Sequence, residues 1–167
     1  MRLLVHAGDQ CLALLDQRMR GLKLRHLELD EIWTFVDTKQ AHIRPDRQGN
    51  ASIGDQYLFA AFDQDTKLIP TFTIGKRTTE NTEAFLLDLA DWVVHQPGVH
   101  IPQISTDGFA AYPGAVDLAF ADEADYGVLI KTFTETEQPG RYGPPDMVQA
   151  DRRPYTDIDP LDLYEPR

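Results

Sequence analysis

The fold is decided by one extended stretch, LRHLELDEIWTFVDTK, which covers residues 24–39. Its β-branched and aromatic residues are typical of a strand, and we predict one here. Asp30 stands in the middle of this strand, between Leu29 and Ile32. An acidic side chain at such a position is costly unless something binds it. The stretch therefore predicts both the first strand of a sheet and a candidate functional carboxylate.

The residues that follow predict a mixed sheet with helices on its faces. Two apolar strands are joined by a short polar link that is typical of a hairpin. Shorter strands then alternate with helices. The further strands are predicted at 56–63, 67–75, 101–106 and 126–133, and the helices at about 79–95 and 110–120. Three leading strands followed by alternating helix and strand favour an α/β fold with a five-stranded mixed sheet.

The two ends of the chain differ from this centre. Residues 1–22 carry apolar side chains at helical spacing, which predicts one amphipathic helix. Residues 134–167 are rich in Pro and Asp and lack periodicity, which predicts an irregular tail. The chain is thus divided into a helical segment at 1–22, a core at 23–133 and a tail at 134–167.

The composition indicates a globular protein with an unusual charge. Of the 167 residues, 42% are hydrophobic, and no apolar run approaches the roughly 20 residues of a membrane span. The single cysteine, Cys11, cannot form an internal disulfide; we expect a buried, inert thiol and a reducing compartment, most simply the cytoplasm. The net charge of −11 counts against tight nonspecific binding of DNA by this chain alone.

A second carboxylate, Asp107, directly follows the strand at 101–106 and precedes Gly108. In an open α/β sheet, functional groups gather at strand ends where the topology switches, so Asp30 and Asp107 could meet there. Mg²⁺ prefers a few carboxylate oxygens together with water and substrate phosphate. The residues alone leave other readings open: a solvated acid for Asp30 and an Asp-Gly turn for Asp107.

Three segments carry a resemblance to a known family. They are LELDEIWTFVDTKQ at 27–40, FDQDTKLIPTFTIGKRTTENTEAFLLDL at 62–89 and STDGFAAYPGAV at 105–116. The segments resemble the catalytic core of DDE-type transposases from small bacterial insertion elements, whose first motif reads Asp-Glu-(Ile/Met)-Trp-(Ser/Thr)-(Phe/Tyr)-Val. Residues 126–153 are similar to the same proteins, including their Arg-Tyr-x-Pro-x-x-x-Val run. The resemblance spans about residues 3–153 and rests on several motifs in the same order.

The resemblance implies an RNase H-like fold with strand order 3-2-1-4-5, in which Asp30 and Asp107 are the first two catalytic acids. Both would bind Mg²⁺ or Mn²⁺. It also implies cleavage and transfer of DNA strands during transposition, with element ends and target DNA as partners. A homo-oligomer and a location at the bacterial nucleoid, without a membrane, would fit such a protein.

Other residues of these motifs are given different roles. Side chains alternate along a strand, so we predict that Glu31 faces away from Asp30 and either has a structural role or supports the metal-binding residues without binding the metal. Trp33 is expected to belong to the core rather than to form a platform for stacking bases. For Lys76 and Arg77, contact with phosphate and a solvated charge at the start of a helix stay open as alternatives.

The sequence departs from the family at both ends. Upstream, such proteins carry a helix-turn-helix, of which we expect only the last helix here, at 3–17. Downstream, their third acid is the glutamate of a Tyr-Val-Glu-Arg motif, whereas this chain ends PYTDIDPLDLYEPR. Glu165 is a superficial match, because Pro166 would break a helix there. We therefore expect an incomplete, inactive transposase domain. The alternatives are a dead remnant that associates with intact transposase, and an RNase H-type nuclease.

Overall fold

The computed structural model describes residues 2–96, 98–133 and 147–154. These residues form an α/β fold in which helices flank a mixed sheet. The helices are α1 (Arg2–Arg18), α2 (Thr79–Trp92) and α3 (Tyr112–Phe120). The strands are β1 (His26–Val36), β2 (Gly54–Asp63), β3 (Phe72–Gly75), β4 (Gln103–Thr106), β5 (Asp125–Phe133) and β6 (Met147–Pro154).

The strands lie in the order β3-β2-β1-β4-β5-β6. The hairpin strands β2 and β3 are antiparallel to their neighbours, while β4 and β5 continue the sheet in parallel from β1. The predicted order of the first five strands is thus confirmed, and the layout is consistent with an RNase H-like fold. The pairing of β1 with β4 runs only from His26 to Leu29, whereas its pairing with β2 continues to Val36.

A sixth strand corrects the prediction of an irregular tail. Residues Met147–Pro154 pair antiparallel with β5, from Gly127↔Pro154 to Phe133↔Met147. Their sequence, MVQADRRP, lacks the apolar alternation that marks the other strands. It becomes a strand because the edge of β5 offers unpaired N–H and C=O groups, a property of the sheet and not of the segment. The rest of the predicted tail, at 134–146 and 155–167, lies outside the described residues.

One face of the sheet packs against α2 and α3. Leu27 and Leu29 of β1 and Phe85 and Leu89 of α2 belong to one hydrophobic core cluster, and all four are almost fully buried. Burial of each such side chain stabilises the fold by about 1.5–3 kcal/mol. Trp92, at the end of α2, is also buried. The Thr78 side chain caps the start of this helix, because it accepts a hydrogen bond from the backbone N–H of Asn81.

Helix α1 contacts this core only near its C-terminal end, through Leu15 and the following Met19. There the Arg20 guanidinium lies 4.2 Å from the centre of the Trp92 ring. The helix has no buried residue, and Cys11 is exposed, so the expectation of a buried thiol is wrong. Helical spacing identified the apolar stripe correctly but could not tell whether anything packs on it. Among the described helices, we find none with the length and apolar character needed to span a membrane.

Candidate metal centre

The two predicted acids meet at the carboxyl ends of neighbouring parallel strands. Leu29 of β1 and Thr106 of β4 form the last register pair between these strands. Asp30 and Asp107 are the next residues along each chain. Because parallel strands in register end at the same level, the fold places both carboxylates at one edge of the sheet.

A third carboxylate joins them. Asp30, Glu31 and Asp107 each offer one oxygen, and these three oxygens all lie within 4.8 Å of one another. A hard divalent cation binds carboxylate oxygens at about 2.0–2.6 Å, so one ion between them can be shared by all three. The cluster could therefore hold a metal ion. Glu165, the doubtful candidate for a third acid, lies outside the described residues.

Alternation along β1 directs the Cβ atoms of Asp30 and Glu31 to opposite faces, as predicted, yet the Glu31 carboxylate still joins the cluster. The carboxylate of Asp30 accepts a hydrogen bond of 2.8 Å from the backbone N–H of Glu31. Backbone N–H groups lie in the plane of a sheet, so the Asp30 carboxylate is turned toward the edge of β1 and does not project straight out from the face of the sheet. There is room for it because the pairing with β4 stops at Leu29. Alternation sets the direction of the Cβ atoms, but the rest of the side chain can turn to the edge.

Glu31 is the buried member of the cluster, with a side chain that is only 3% exposed. One carboxylate oxygen, Oε2, lies 3.1 Å from Nη2 of Arg77, whereas Oε1 is buried and has no hydrogen-bond partner among the described residues. Burial raises the pKa of Glu31. The neighbouring Tyr112 hydroxyl lowers this pKa, the charge of Asp107 raises it, and Arg77 lowers it again. A buried oxygen without a partner is the kind of group that an ion or a water molecule satisfies.

Tyr112, the first residue of α3, presents its phenol to the same acids. The residue is fully buried, and within the part of the chain that the structure describes its hydroxyl oxygen has no partner at normal hydrogen-bond geometry. Burial raises the pKa of Tyr112, and the charges of Glu31, Asp107 and Asp30 raise it further. The hydroxyl influences Glu31 through its proximity, although the two oxygens do not form a regular hydrogen bond. Tyr112 therefore keeps its proton and holds a donor beside the cluster.

Arg77 supplies a positive charge to the site. Its Nη2 atom lies 3.1 Å from Oε2 of Glu31 and 3.4 Å from Oδ2 of Asp107. The guanidinium also stacks on Phe109, 4.0 Å from the ring centre. The loop that carries Phe109 is held in turn, because its backbone N–H donates to Oδ1 of Asp107 at 2.9 Å. One arginine thus balances part of the charge of two of the three acids.

The structure gives Lys76 and Arg77 different roles, whereas the sequence left the same two alternatives open for both. The ammonium of Lys76 donates to the backbone carbonyls of Ile53 and Asp55, at 2.6 and 2.7 Å. It therefore anchors the loop before β2 and is not directed at the acidic site. Arg77 and Glu31 are 46 positions apart in the sequence, so no local pattern could have predicted their contact.

The expectation that Trp33 belongs to the core is wrong. Trp33 is 45% exposed, and Phe35, two residues further along the same strand, is 44% exposed. The apolar residues of β1 are buried only up to Leu29. The aromatic content that predicted the strand was correct, but the second half of β1 extends past the packed core.

Comparison with known proteins found no protein-family model that matches this chain. A search of curated proteins found no significant match either.

Proposed function

We propose that this domain derives from a DDE-type transposase, a class of protein that cleaves and transfers DNA strands with a divalent metal ion. The observation that carries the proposal is the meeting of Asp30, Glu31 and Asp107 at the ends of two parallel strands, with ligand oxygens within 4.8 Å. The strand order and the motif Asp-Glu-Ile-Trp, now placed on β1, support it further.

Mg²⁺ or Mn²⁺ is the metal that we propose, because the donors are all carboxylate oxygens. Asp30 and Asp107 would hold it, and the unpartnered Oε1 of Glu31 offers a further ligand. When bound, such an ion activates an attacking oxygen and stabilises charge on a phosphodiester. DNA is the proposed substrate, and the chain carries a net charge of −11, so we expect its DNA binding to be weak.

The protein's own residues would position the substrate and its protons. Arg77, stacked on Phe109 beside the acids, is placed to pair with a phosphate that enters the site. Such a contact would neutralise charge that grows in the transition state. Tyr112, which stays protonated, would hold a hydroxyl proton close to Glu31. Burial of Glu31 and Tyr112 keeps bulk water from that side of the cluster.

A catalytically inactive domain that associates with intact transposase is the second candidate. The observation that favours it is the position of Arg77, whose guanidinium already bridges Glu31 and Asp107. A divalent ion that binds to the cluster must either displace the Arg77 guanidinium or bind beside it. An RNase H-type hydrolase would use the same cluster but would cleave the RNA strand of a hybrid.

Metal binding tests the proposal directly. Mn²⁺ binding to the full chain would be followed by electron paramagnetic resonance at neutral pH. We expect Asp30→Asn and Asp107→Asn to weaken binding strongly, while Asp117→Asn, an exposed acid of α3, leaves it unchanged. Equal binding by all four proteins would refute the metal centre.

Activity assays then separate the candidates. Nicking of supercoiled plasmid with Mn²⁺ or Mg²⁺ supports an active strand-cleaving domain. Cleavage restricted to an RNA–DNA hybrid supports the hydrolase. Metal binding without cleavage of either substrate supports the inactive domain.

A further inference from the structure

Beyond the metal cluster, β1 continues into a row of aromatic side chains. Trp33 and Phe35 follow Glu31 at two-residue spacing, so the three side chains lie on one face of the sheet. The two rings are 5.8 Å apart between centres and are tilted by 40°. On the neighbouring strand, Tyr57 lies directly opposite Trp33. We call Trp33, Phe35 and Tyr57 the aromatic row.

Positive side chains lie over these rings. The ammonium of Lys39 is 5.4 Å from the centre of the Trp33 ring, and the guanidinium of Arg77 is 5.9 Å from that of Tyr57. The loop after β1 brings Arg44 and Arg47 to a cavity of about 250 Å³, where Arg44 lies 3.8 Å from Asp46 and Arg47 is paired with Asp37 at 2.7 Å. Lys39 and Arg77 thus bring positive charge to the aromatic row, even though the chain as a whole is strongly acidic.

We propose that the aromatic row binds unpaired nucleotides and leads a single strand to the metal cluster. Aromatic rings stack on bases of any sequence, and neighbouring cations pair with the phosphates, which is the combination found in single-strand binding sites. The inference deepens the DNA-handling function proposed above, on which it rests, by naming the form of nucleic acid that the site takes.

Two features argue for this occupant. The first is charge, because Lys39 and Arg77 lie over the rings where a phosphate backbone would run. The second is continuity: side chains on one face of a strand follow each other at about 7 Å. A strand laid along β1 would therefore pass from Phe35 to Trp33 and reach Glu31 in two steps, with Arg77 at the cluster.

The opposite face of the sheet provides a matched control. Phe72 of β3 is 47% exposed, close to the value for Trp33. Phe72 pairs with Ala60 of β2, which in turn pairs with Asp30 of β1. The Phe72 side chain therefore lies on the face of the sheet opposite Trp33. Within the described residues, no cationic side chain lies over the Phe72 ring. Loss of this ring should therefore leave single-strand binding intact.

Tryptophan fluorescence can test the proposal, because the chain has two tryptophans and Trp92 is buried. In a Trp92→Phe background, we expect a short oligodeoxythymidine, added at low salt without divalent metal, to quench Trp33.

Anisotropy of the labelled oligonucleotide gives the affinity. Trp33→Ala should weaken it about tenfold or more, the size of one lost stacking contact. Phe72→Ala should change it by less than about twofold, while Lys39→Gln should weaken it and flatten its salt dependence.

Several outcomes would overturn the proposal. One is an equal effect of Trp33→Ala and Phe72→Ala, and another is oligonucleotide binding that leaves Trp33 fluorescence unchanged. Absence of binding by the wild-type chain also refutes it. So does self-association that Trp33→Ala abolishes, because a second copy would then cover the row. Trp33→Leu is a second variant that keeps an apolar side chain but has no ring. Its circular dichroism spectrum, compared with that of the wild-type chain, shows whether a loss of binding comes from a folding defect. Since no metal is present, failure here is distinct from failure of Mn²⁺ binding.

Discussion

Replacement of Arg77 by alanine should make the stability of this domain depend more strongly on divalent metal than that of the wild-type chain. In the wild-type chain, the guanidinium balances Oε2 of Glu31, whose side chain is only 3% exposed. Arg77→Ala leaves this carboxylate buried without its positive partner. Because Arg77 also lowers the pKa of Glu31, that pKa should rise further in the variant. A divalent ion at the cluster can replace the lost charge, so added metal should restore stability.

The magnitude follows from the burial of the two partners. Removal of one partner from a fully buried ion pair costs about 3–5 kcal/mol. Arg77 is 35% exposed, so solvent screens part of this interaction. We therefore expect Arg77→Ala to lower the free energy of unfolding by about 1–3 kcal/mol without metal. Binding of Mn²⁺ to the folded state, at about one hundred times its dissociation constant, should add about 2.7 kcal/mol to the free energy of unfolding.

The dependence on pH has a defined sign. The folded-state pKa of Glu31 is raised above 4.5, so the folded chain holds this proton more tightly than the unfolded chain. The free energy of unfolding from this group is then greatest below about pH 4.5 and falls as the pH rises through the folded-state pKa. Arg77→Ala should extend this fall to higher pH, and Glu31→Gln should remove it.

Urea unfolding followed by circular dichroism, with EDTA or with Mn²⁺ and across a range of pH, measures these changes. Arg44→Ala is the control, because Arg44 and its partner Asp46 are both largely exposed and should matter little. If Arg77→Ala lost stability equally with and without metal, or behaved like Arg44→Ala, then Arg77 would not be the counter-ion of a metal cluster.

Three further outcomes are expected. Tyr112→Phe should change the metal-free free energy of unfolding by less than about 1 kcal/mol, because the hydroxyl it removes is buried without a regular partner; urea titration would reveal a larger loss if a strong hydrogen bond existed. Duplex DNA should bind weakly, with strong salt sensitivity and no preference for element ends, and a sequence-specific complex at physiological salt in anisotropy measurements would contradict this. The chain should not nick DNA at a meaningful rate; robust nicking that Glu165→Gln abolishes would show that Glu165 supplies a third acid.

The fold was predictable where the sequence repeats a local signal. β-branched and aromatic residues marked β1, and two apolar runs joined by a short polar link marked β2 and β3. The predictions failed where the outcome depends on a neighbour. Strand β6 forms on the edge that β5 offers, Trp33 lies beyond the packed core, and Cys11 lies on a stripe that nothing described covers. Periodicity reports which side chains share a face and says nothing of what packs against that face.

For the candidate site too, some residues could be identified from the sequence and others only from the tertiary structure. The sequence by itself determined the positions of Asp30 and Asp107, because an acid inside a strand and an acid directly after one are visible in the order of residues. Only the tertiary structure decided that Glu31 joins them, that Tyr112 and Arg77 surround them, and that Lys76 does not. The reason is physical: a side chain turns toward the charges and free space that distant elements provide. The end of β4, the first turn of α3 and the segment after β3 meet beside β1 only when the chain is folded.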